Sequence, residues 1–360
     1  MMAPLMATSQ PDSSIPYDRI RAVEWVDGHI KLLDQRRLPS RTEYVIVDHL
    51  PQAAQAIRDM VVRGAPAIGI TAAYAMVLAA RDRYRSDAAH WREAIKEDFM
   101  LICQARPTAV NLNWAVQRMR GLIEDGIDAN PESLLLEEAR RIHADDIGAN
   151  RRMGELGAEL IAPGSGVLTH CNTGSLATGG YGTALGVVRA GYAAGRIKQT
   201  FANETRPWLQ GARLTVWELM QEGIPHTLIA DSAAASIMRQ GKIQWLIVGA
   251  DRIAANGDVA NKIGTYSAAV AAHHHGVKVM VVAPTSTVDL SMADAESIPI
   301  ENRAQEEILE FAGTRVAPPG AGAANPAFDI TPAELIDVLV TEKGVVERPD
   351  RPKIAAMMSR

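Results

Sequence analysis

Residues 23–33, VEWVDGHIKLL, set short apolar-rich runs on either side of Asp27-Gly28, the pattern of a hairpin closed by a two-residue turn. From residue 52 the rhythm lengthens. Amphipathic or Ala-rich segments at 52–62, 66–84, 88–103, 108–124 and 132–160 predict helices, with Pro51, Pro66, Pro107 and Pro131 marking starts and breaks. Beyond Pro163-Gly164-Ser165-Gly166, short apolar runs at 166–170, 199–203, 226–230, 245–249 and 278–282 alternate with helix-length stretches. Such alternation predicts parallel strands joined by crossover helices. The fold class is therefore α/β: a C-terminal Rossmann-like parallel sheet with flanking helices, preceded by a mainly helical N-terminal domain carrying a small β-sheet. The expected boundaries are a flexible tail over 1–16, the helical domain over 17–160, the sheet domain over 161–347 and a fraying tail over 348–360. Thr331-Pro332-Ala333-Glu334 combines a cap, a first-turn proline and a capping-box glutamate, and predicts a last helix over 332–340; residues 316–327 read as a loop.

Composition narrows the partners. The chain has 360 residues, 47% hydrophobic and 22% charged, and 37 basic against 42 acidic side chains give a formal charge of −5. No global basicity points to nucleic acid or an anionic membrane, so a small-molecule partner is expected. The longest apolar stretch, 66–80, is broken by Gly69, Thr71 and Tyr74 and falls short of the roughly 18 apolar residues of a membrane span. The first residues lack a basic region followed by an apolar core, so no secretory signal is read there. Two cysteines, Cys103 and Cys171, exclude a disulfide framework, and a reducing cytoplasm is the expected compartment.

Candidate chemistry concentrates in HCNTGSLATGGYGTALG, residues 170–186, where a cysteine, hydroxyl residues and five glycines follow the strand-like run 166–169. Glycines let backbone N–H groups turn toward an anion, and a helix starting near Tyr181 would add its positive end. A thiol in that field is expected to have a lowered pKa. The loop matches neither a nucleotide-triphosphate loop nor the dinucleotide fingerprint; read alone, it is a phosphate loop or a tight strand-to-helix turn. Cys171, between His170 and Asn172 at a strand end, reads as functional, whereas Cys103 in an apolar helical run reads as packing.

A second strand, 245–249, delivers Asp251 to its end within VGADRIAANGDVANKIGTYSAA, residues 248–269. Asp251 suits a general acid or base, and Lys262 with the N–H groups after it suits a phosphate; an Asx-turn and a solvated lysine are the plain alternatives. Since ligands of such sheets bind outside the C-terminal strand ends, Cys171 and Asp251 are expected to face one crevice. NETRPWLQGARLTVWEL, residues 203–219, offers Arg206 for an oxyanion and Gln210 for a sugar hydroxyl, with a salt bridge inside the loop as the alternative. In RGAPAIGI, residues 63–70, Arg63 precedes a helix start that suits phosphate. His273-His274-His275 point different ways on a helix, no metal motif is present, and Trp114, Trp217 and Trp245 read as core.

Together RGAPAIGI, HCNTGSLATGGYGTALG, NETRPWLQGARLT, GADRIAANGDVANKIGTY, APTSTVD at 283–289 and IPIENR at 298–303 resemble the methylthioribose-1-phosphate isomerase family of methionine salvage, from about residue 17 to 345. The wider family also contains ribose 1,5-bisphosphate isomerase and the regulatory subunits of a translation-initiation exchange factor, and the Cys171 and Asp251 pair marks the isomerases. The resemblance implies an aldose–ketose isomerase with Cys171 and Asp251 as catalytic pair. It further implies substrate contacts from Arg63, Gly64, Ala65, Arg106, Gln210, Asn261 and Lys262, where Arg106 rests on RPTAVNLNWA at 106–115. No cofactor or metal, a phosphorylated sugar as partner and a homodimer are the remaining implications. The alternatives are ribose 1,5-bisphosphate as substrate, or a non-catalytic regulatory or scaffold subunit of the same fold.

Overall fold

The computed structural model describes residues 17–107, 109–126, 130–296 and 298–360, so the tail expected over 1–16 lies outside the described residues. The chain forms two compact units, Met1–Gly148 with Gly174–Gly182, and Ala149–Thr173 with Thr183–Arg360. Among the described residues no helix is long and apolar enough to cross a membrane.

The first unit opens with an antiparallel sheet of β1 (Val23–Val26), β2 (His29–Leu33) and β3 (Tyr44–Val47). Asp27 and Gly28 join the first two strands with φ of 48° and 84°, the double left-handed turn expected from that dipeptide. Among the described residues helices follow: α1 (Leu50–Arg58), α2 (Ala65–Ser86), α3 (Trp91–Ala94), α4 (Lys96–Cys103), α5 (Val110–Glu124) and α6 (Glu132–Glu159), the last running on into the second unit from Ala149. The helix expected over 88–103 is thus two, meeting at Ile95. Every residue of α2 from Ala67 to Arg81 is buried. Its alanines let neighbouring backbones approach, and Arg81 reaches back to donate to the carbonyls of Gly28, at 2.6 Å, and Asp48, at 3.1 Å, tying the hairpin to the helix. Gly64 precedes α2 with φ 93°, and a Cβ there would lie 2.5 Å from the Ala177 backbone. Both the conformation and the contact require glycine. Trp114, read as core, is 40% exposed and lies under Arg118, whose guanidinium sits 5.5 Å from the ring centroid.

The second unit runs β4 (Ser165–Thr169), α7 (Ala184–Ala193), β5 (Ile197–Asn203), α8 (Val216–Gln221), β6 (His226–Ile229), α9 (Ala234–Arg239) and β7 (Trp245–Val248). It continues with β8 (Arg252–Ala254), β9 (Val259–Lys262), α10 (Thr265–His274), β10 (Lys278–Val282), β11 (Val288–Asp289), α11 (Glu306–Leu309), β12 (Glu310–Phe311) and β13 (Thr314–Arg315). The chain closes with β14 (Phe328–Thr331), β15 (Val338–Thr341), β16 (Gly344–Glu347) and α12 (Arg351–Met358). The main sheet has the order β16-β15-β10-β7-β4-β5-β6, with only the β15–β16 pair antiparallel. Every residue of β4, β7 and β15 is buried, as expected of strands covered on both faces.

Two expectations near the C-terminus are corrected. The helix predicted over 332–340 is a single 3₁₀ turn, Ala333–Leu335, followed by β15, because pairing of Val338, Leu339 and Val340 with β10 outweighs the local cap signals. The tail predicted to fray over 348–360 carries α12, capped by Asp350, whose side chain accepts from the Lys353 N–H at 2.9 Å; Ile354 and Met357 lie in the core.

Arg189 on α7 is fully buried, and its guanidinium donates to Glu218 at 2.8 Å and Glu222 at 2.7 Å, both carboxylates being equally enclosed. Burial opposes the guanidinium's charge, but Glu222 and Glu218 outweigh it and hold the pKa above its usual value. Arg189→Leu is expected to strand two buried carboxylates and cost about 3–5 kcal/mol, read as a lowered urea midpoint; an unchanged midpoint would refute a structural role for the triad. His170, just after β4, is 1% exposed, and its Nε2 lies 2.8 Å from the Ile263 carbonyl while Nδ1 accepts from Asn203 at 3.0 Å. This pairing selects the neutral Nε2–H tautomer, and burial pushes the imidazole pKa below its ordinary value. The unfolded chain therefore binds the proton first, and stability is expected to fall as pH drops through about 6.5, by up to ~1.4 kcal/mol per unit from this group. Urea unfolding from pH 7.5 to 5.5 should show a shallower slope for His170→Gln than for the parent; equal slopes contradict the assignment.

Candidate active site

β4 lies between β7 and β5, with Thr169 paired to Ile247 and to Ala202. After β4 the chain builds β5 and β6 on one side, then returns to add β7 and β10 on the other. The strand order reverses between β4 and β7, which is where ligands of open α/β sheets bind. Cys171 is two residues beyond the end of β4 and Asp251 three beyond that of β7. The two loops touch: a Cβ on Gly249 would sit 2.7 Å from Thr173 Cγ2, so only glycine permits this approach. Asp251 is half-buried, and its N–H donates to the Ala260 carbonyl at 2.9 Å, where the chain turns into the β8–β9 hairpin.

Cys171 is 6% exposed and has φ 64°, a left-handed conformation that costs a non-glycine residue about 1–2 kcal/mol. Hydrogen bonds on both sides hold it. Its N–H donates to Thr205 Oγ1 at 2.8 Å, and its carbonyl accepts from Thr215 Oγ1 at 2.6 Å. Thr205 is itself placed by Asp231, whose carboxylate accepts from the N–H groups of Thr205 and Arg206, both at 2.7 Å. Asn172 donates to Glu218 Oε1 at 2.8 Å and to Thr215 Oγ1 at 3.3 Å. Thr205, Thr215, Asn172 and Glu218 lie inside the segments 170–186 and 203–219, but nothing in the sequence singles them out within those segments. They meet only because β4, β5 and α8 converge.

The glycine-rich segment differs from its expected role. It leaves the second unit after Thr173 and returns at Thr183, whose N–H donates to the Thr173 carbonyl at 2.9 Å. The helix expected near Tyr181 begins at Ala184. The amides of Ala177, Gly182 and Thr183 donate to backbone carbonyls, that of Gly179 to Asp146 and that of Gly180 to Thr178 Oγ1. Within the first unit, Gln35 donates to the Leu176 carbonyl at 2.7 Å and His143 Nε2 to that of Gly179 at 2.9 Å. Much of the presumed anion cradle is thus spent on fixing the segment itself.

The expected contact residues fall in both units. Arg63, Gly64 and Ala65 lie at the start of α2 and Arg106 shortly before α5, with Arg63 and Arg106 half-buried. Among the described residues Gln210, 7% exposed, presents a buried Oε1 with no hydrogen-bond partner, as does Thr173 through Oγ1. A buried acceptor left open in the protein suits a ligand hydroxyl. Asn261 is buried on β9 and donates to Thr265 Oγ1 at 3.1 Å. Lys262 Nζ donates to the Ala327 carbonyl at 2.8 Å and lies 4.2 Å from the Phe328 ring centroid. The N–H groups after Lys262, expected to hold a phosphate, are occupied: Gly264 and Tyr266 donate to Asp329 at 2.7 and 3.2 Å. Arg206, read as an oxyanion ligand, instead donates to the carbonyls of Pro207, Glu307 and Ile308 and lies 5.6 Å from the Phe311 ring centroid.

Residues 61–348 match the Initiation factor 2 subunit family. A methylthioribose-1-phosphate isomerase of Thioalkalivibrio sulfidiphilus is 61% identical over 346 residues, 96% of this chain and 99% of that protein. Its counterpart in Nitrosococcus oceani is 58% identical over 345 residues, 96% of this chain and 99% of that protein. The crystal structure of 5-methylthioribose 1-phosphate isomerase from Pyrococcus horikoshii aligns with a TM-score of 0.91 at 39% identity, covering 98% of this chain and 99% of that one. That of translation initiation factor eIF-2B, subunit delta, from A. fulgidus aligns with a TM-score of 0.86 at 41% identity, covering 95% and 100%. With its matched span, its near full-length relatives and an α/β fold shared with both solved structures, the chain belongs to the Initiation factor 2 subunit family, in the group formed with the methylthioribose-1-phosphate isomerases.

Proposed function

We propose that this chain converts 5-methylthioribose 1-phosphate to 5-methylthioribulose 1-phosphate, an aldose–ketose isomerisation in methionine salvage. The observation that carries the reading is the strand-order reversal, which brings the loops of Cys171 and Asp251 together at adjacent strand ends within a chain 61% identical to a named isomerase. In the substrate the anomeric oxygen carries phosphate, so the ring cannot open by losing a hydroxyl proton. Asp251 protonates the ring oxygen; the C1–O bond breaks with its electron pair going to that oxygen, and the phosphate oxygen shares the charge left on C1. Hydrogen then passes from C2 to C1, either as hydride or as a proton by way of an enol. C1 is reduced and C2 oxidised, and the C2 hydroxyl proton returns to the carboxylate as the ketone forms, so no external oxidant or reductant is needed. Cys171 acts as acid–base partner or stabilises the transition state from its enclosed position.

Arg63, Gly64, Ala65, Arg106, Asn261 and Lys262 are each proposed as substrate contacts, and Gln210 Oε1 as the acceptor of a sugar hydroxyl. We further propose a homodimer in the cytoplasm, consistent with the two cysteines being unbridged. Cys171→Ala and Asp251→Asn are each expected to lower kcat at least ~100-fold while substrate still binds by calorimetry; a fully active double variant would falsify the catalytic assignment. Supplied with either 5-methylthioribose 1-phosphate or ribose 1,5-bisphosphate, the protein should form ketose at least tenfold faster, as kcat/KM, from the former. The reverse order would reassign the substrate, and no ketose from either would favour a non-catalytic subunit.

A further inference from the structure

A fully buried polar system in the second unit ends on the backbone of Cys171. Arg189, with no exposure, donates to Glu218 Oε2; Glu218 Oε1 accepts from Asn172 Nδ2; Asn172 Nδ2 also donates to Thr215 Oγ1; and Thr215 Oγ1 donates to the Cys171 carbonyl. Glu218 and Thr215 are each 0% exposed, and Asn172 is 1% exposed. On the other side, Thr205 Oγ1 accepts the Cys171 N–H and donates to the Asn203 carbonyl at 3.2 Å. Both peptide groups flanking Cys171 are therefore held, and with φ at 64° the Cα–Cβ direction is fixed. Only rotation about χ1 remains to the thiol.

A buried ion pair is a weak source of net stability, because well-packed apolar residues often do as well. This one carries an additional function that an apolar replacement would lack: its inner carboxylate supplies the acceptor that orients Asn172, and Asn172 faces Thr215. We infer that Thr215 and Asn172, backed by the Arg189–Glu218–Glu222 triad, are positioning residues that hold Cys171 in its left-handed conformation and so aim the thiol at the reacting carbons. The inference rests on the reading that Cys171 acts on the substrate. The residues act through the backbone and touch no substrate, so their loss should appear in kcat rather than in KM.

Thr215→Val keeps the shape of the side chain and removes the hydroxyl, whereas Thr215→Ser keeps the hydroxyl. The valine variant is expected to lower kcat about 10–100-fold with KM within about threefold of the parent, and the serine variant to restore most of the loss. Alkylation of Cys171 in the free protein by iodoacetamide, followed by peptide mass, should change in rate in the valine variant and return toward the parent rate in the serine variant. A Thr215→Val protein with parental kcat and parental alkylation overturns the inference while leaving the catalytic reading intact. A Cys171→Ala protein with parental kcat overturns the catalytic reading itself. If Thr215→Val does not fold, as judged by near-ultraviolet circular dichroism, the valine and serine pair at Thr205 decides by the same criteria.

Discussion

The parallel pairing of β4 with β7 is the constraint on which the second unit's chemistry depends. Alternate residues of these strands face opposite sides of the sheet. Leu168, Leu246, Val248, Val279 and Leu339 join the core beneath α9, α10 and α12, while Met280 faces the side where Gly157 of α6 meets Val187 of α7. The crossover through α7 and the crossover through α10 therefore cover opposite faces, as right-handed connections leading in opposite directions must. The loops that leave the adjacent ends of β4 and β7 carry Cys171 and Asp251 and meet where Gly249 faces Thr173. A one-residue slip of β4 against its neighbours would exchange its two apolar faces, so the hydrophobic packing of the sheet also fixes which residues reach its edge.

Placing a cysteine at that edge has a conformational cost, which the surroundings are organised to meet. A left-handed residue without hydrogen-bonded neighbours would relax into an ordinary extended or helical basin. Here the Thr205 and Thr215 hydroxyls take up both backbone groups; the Thr205 hydroxyl donates to the Asn203 carbonyl while Asp231 accepts from the Thr205 N–H, and Thr215 is met by Asn172. The sequence of supports runs from a fully buried charge triad outward to one dipeptide. Charge that adds little to stability by itself here orders the groups around the Cys171–Asn172 dipeptide.

How much of this was legible in the sequence follows from the range of the interactions. The Asp27-Gly28 hairpin, the parallel strands and the strand-end positions of Cys171 and Asp251 depend on neighbouring residues or on simple periodicity, and they could be read directly. The helix expected over 332–340 failed for the opposite reason: its cap signals are local, but Val338–Thr341 lies against β10, and sheet pairing across nearly 60 residues prevailed. The fraying expected at the C-terminus overlooked Ile354 and Met357, whose burial is evident only once the core is assembled. Thr215 and Glu218 lie in a segment the sequence does single out, but their partners could not be read, since each lies more than 40 residues from the dipeptide it supports.

The glycine-rich segment spends its backbone donors inside the protein. Its composition suggested amides free to cradle a phosphate, yet those of Ala177, Gly179, Gly180, Gly182 and Thr183 already donate within the protein. The same applies after Lys262, where Asp329 takes the Gly264 and Tyr266 amides. An amide already donating to a carboxylate or carbonyl offers an anion little unless that bond is given up, which costs about what a new one returns. In both places the backbone serves as a rigid support, while among the described residues Gln210 Oε1 and Thr173 Oγ1 are buried acceptors without a hydrogen-bond partner. For the proposed isomerisation such a division would leave the phosphate to cationic side chains, with the fixed loops holding the proposed catalytic pair in place.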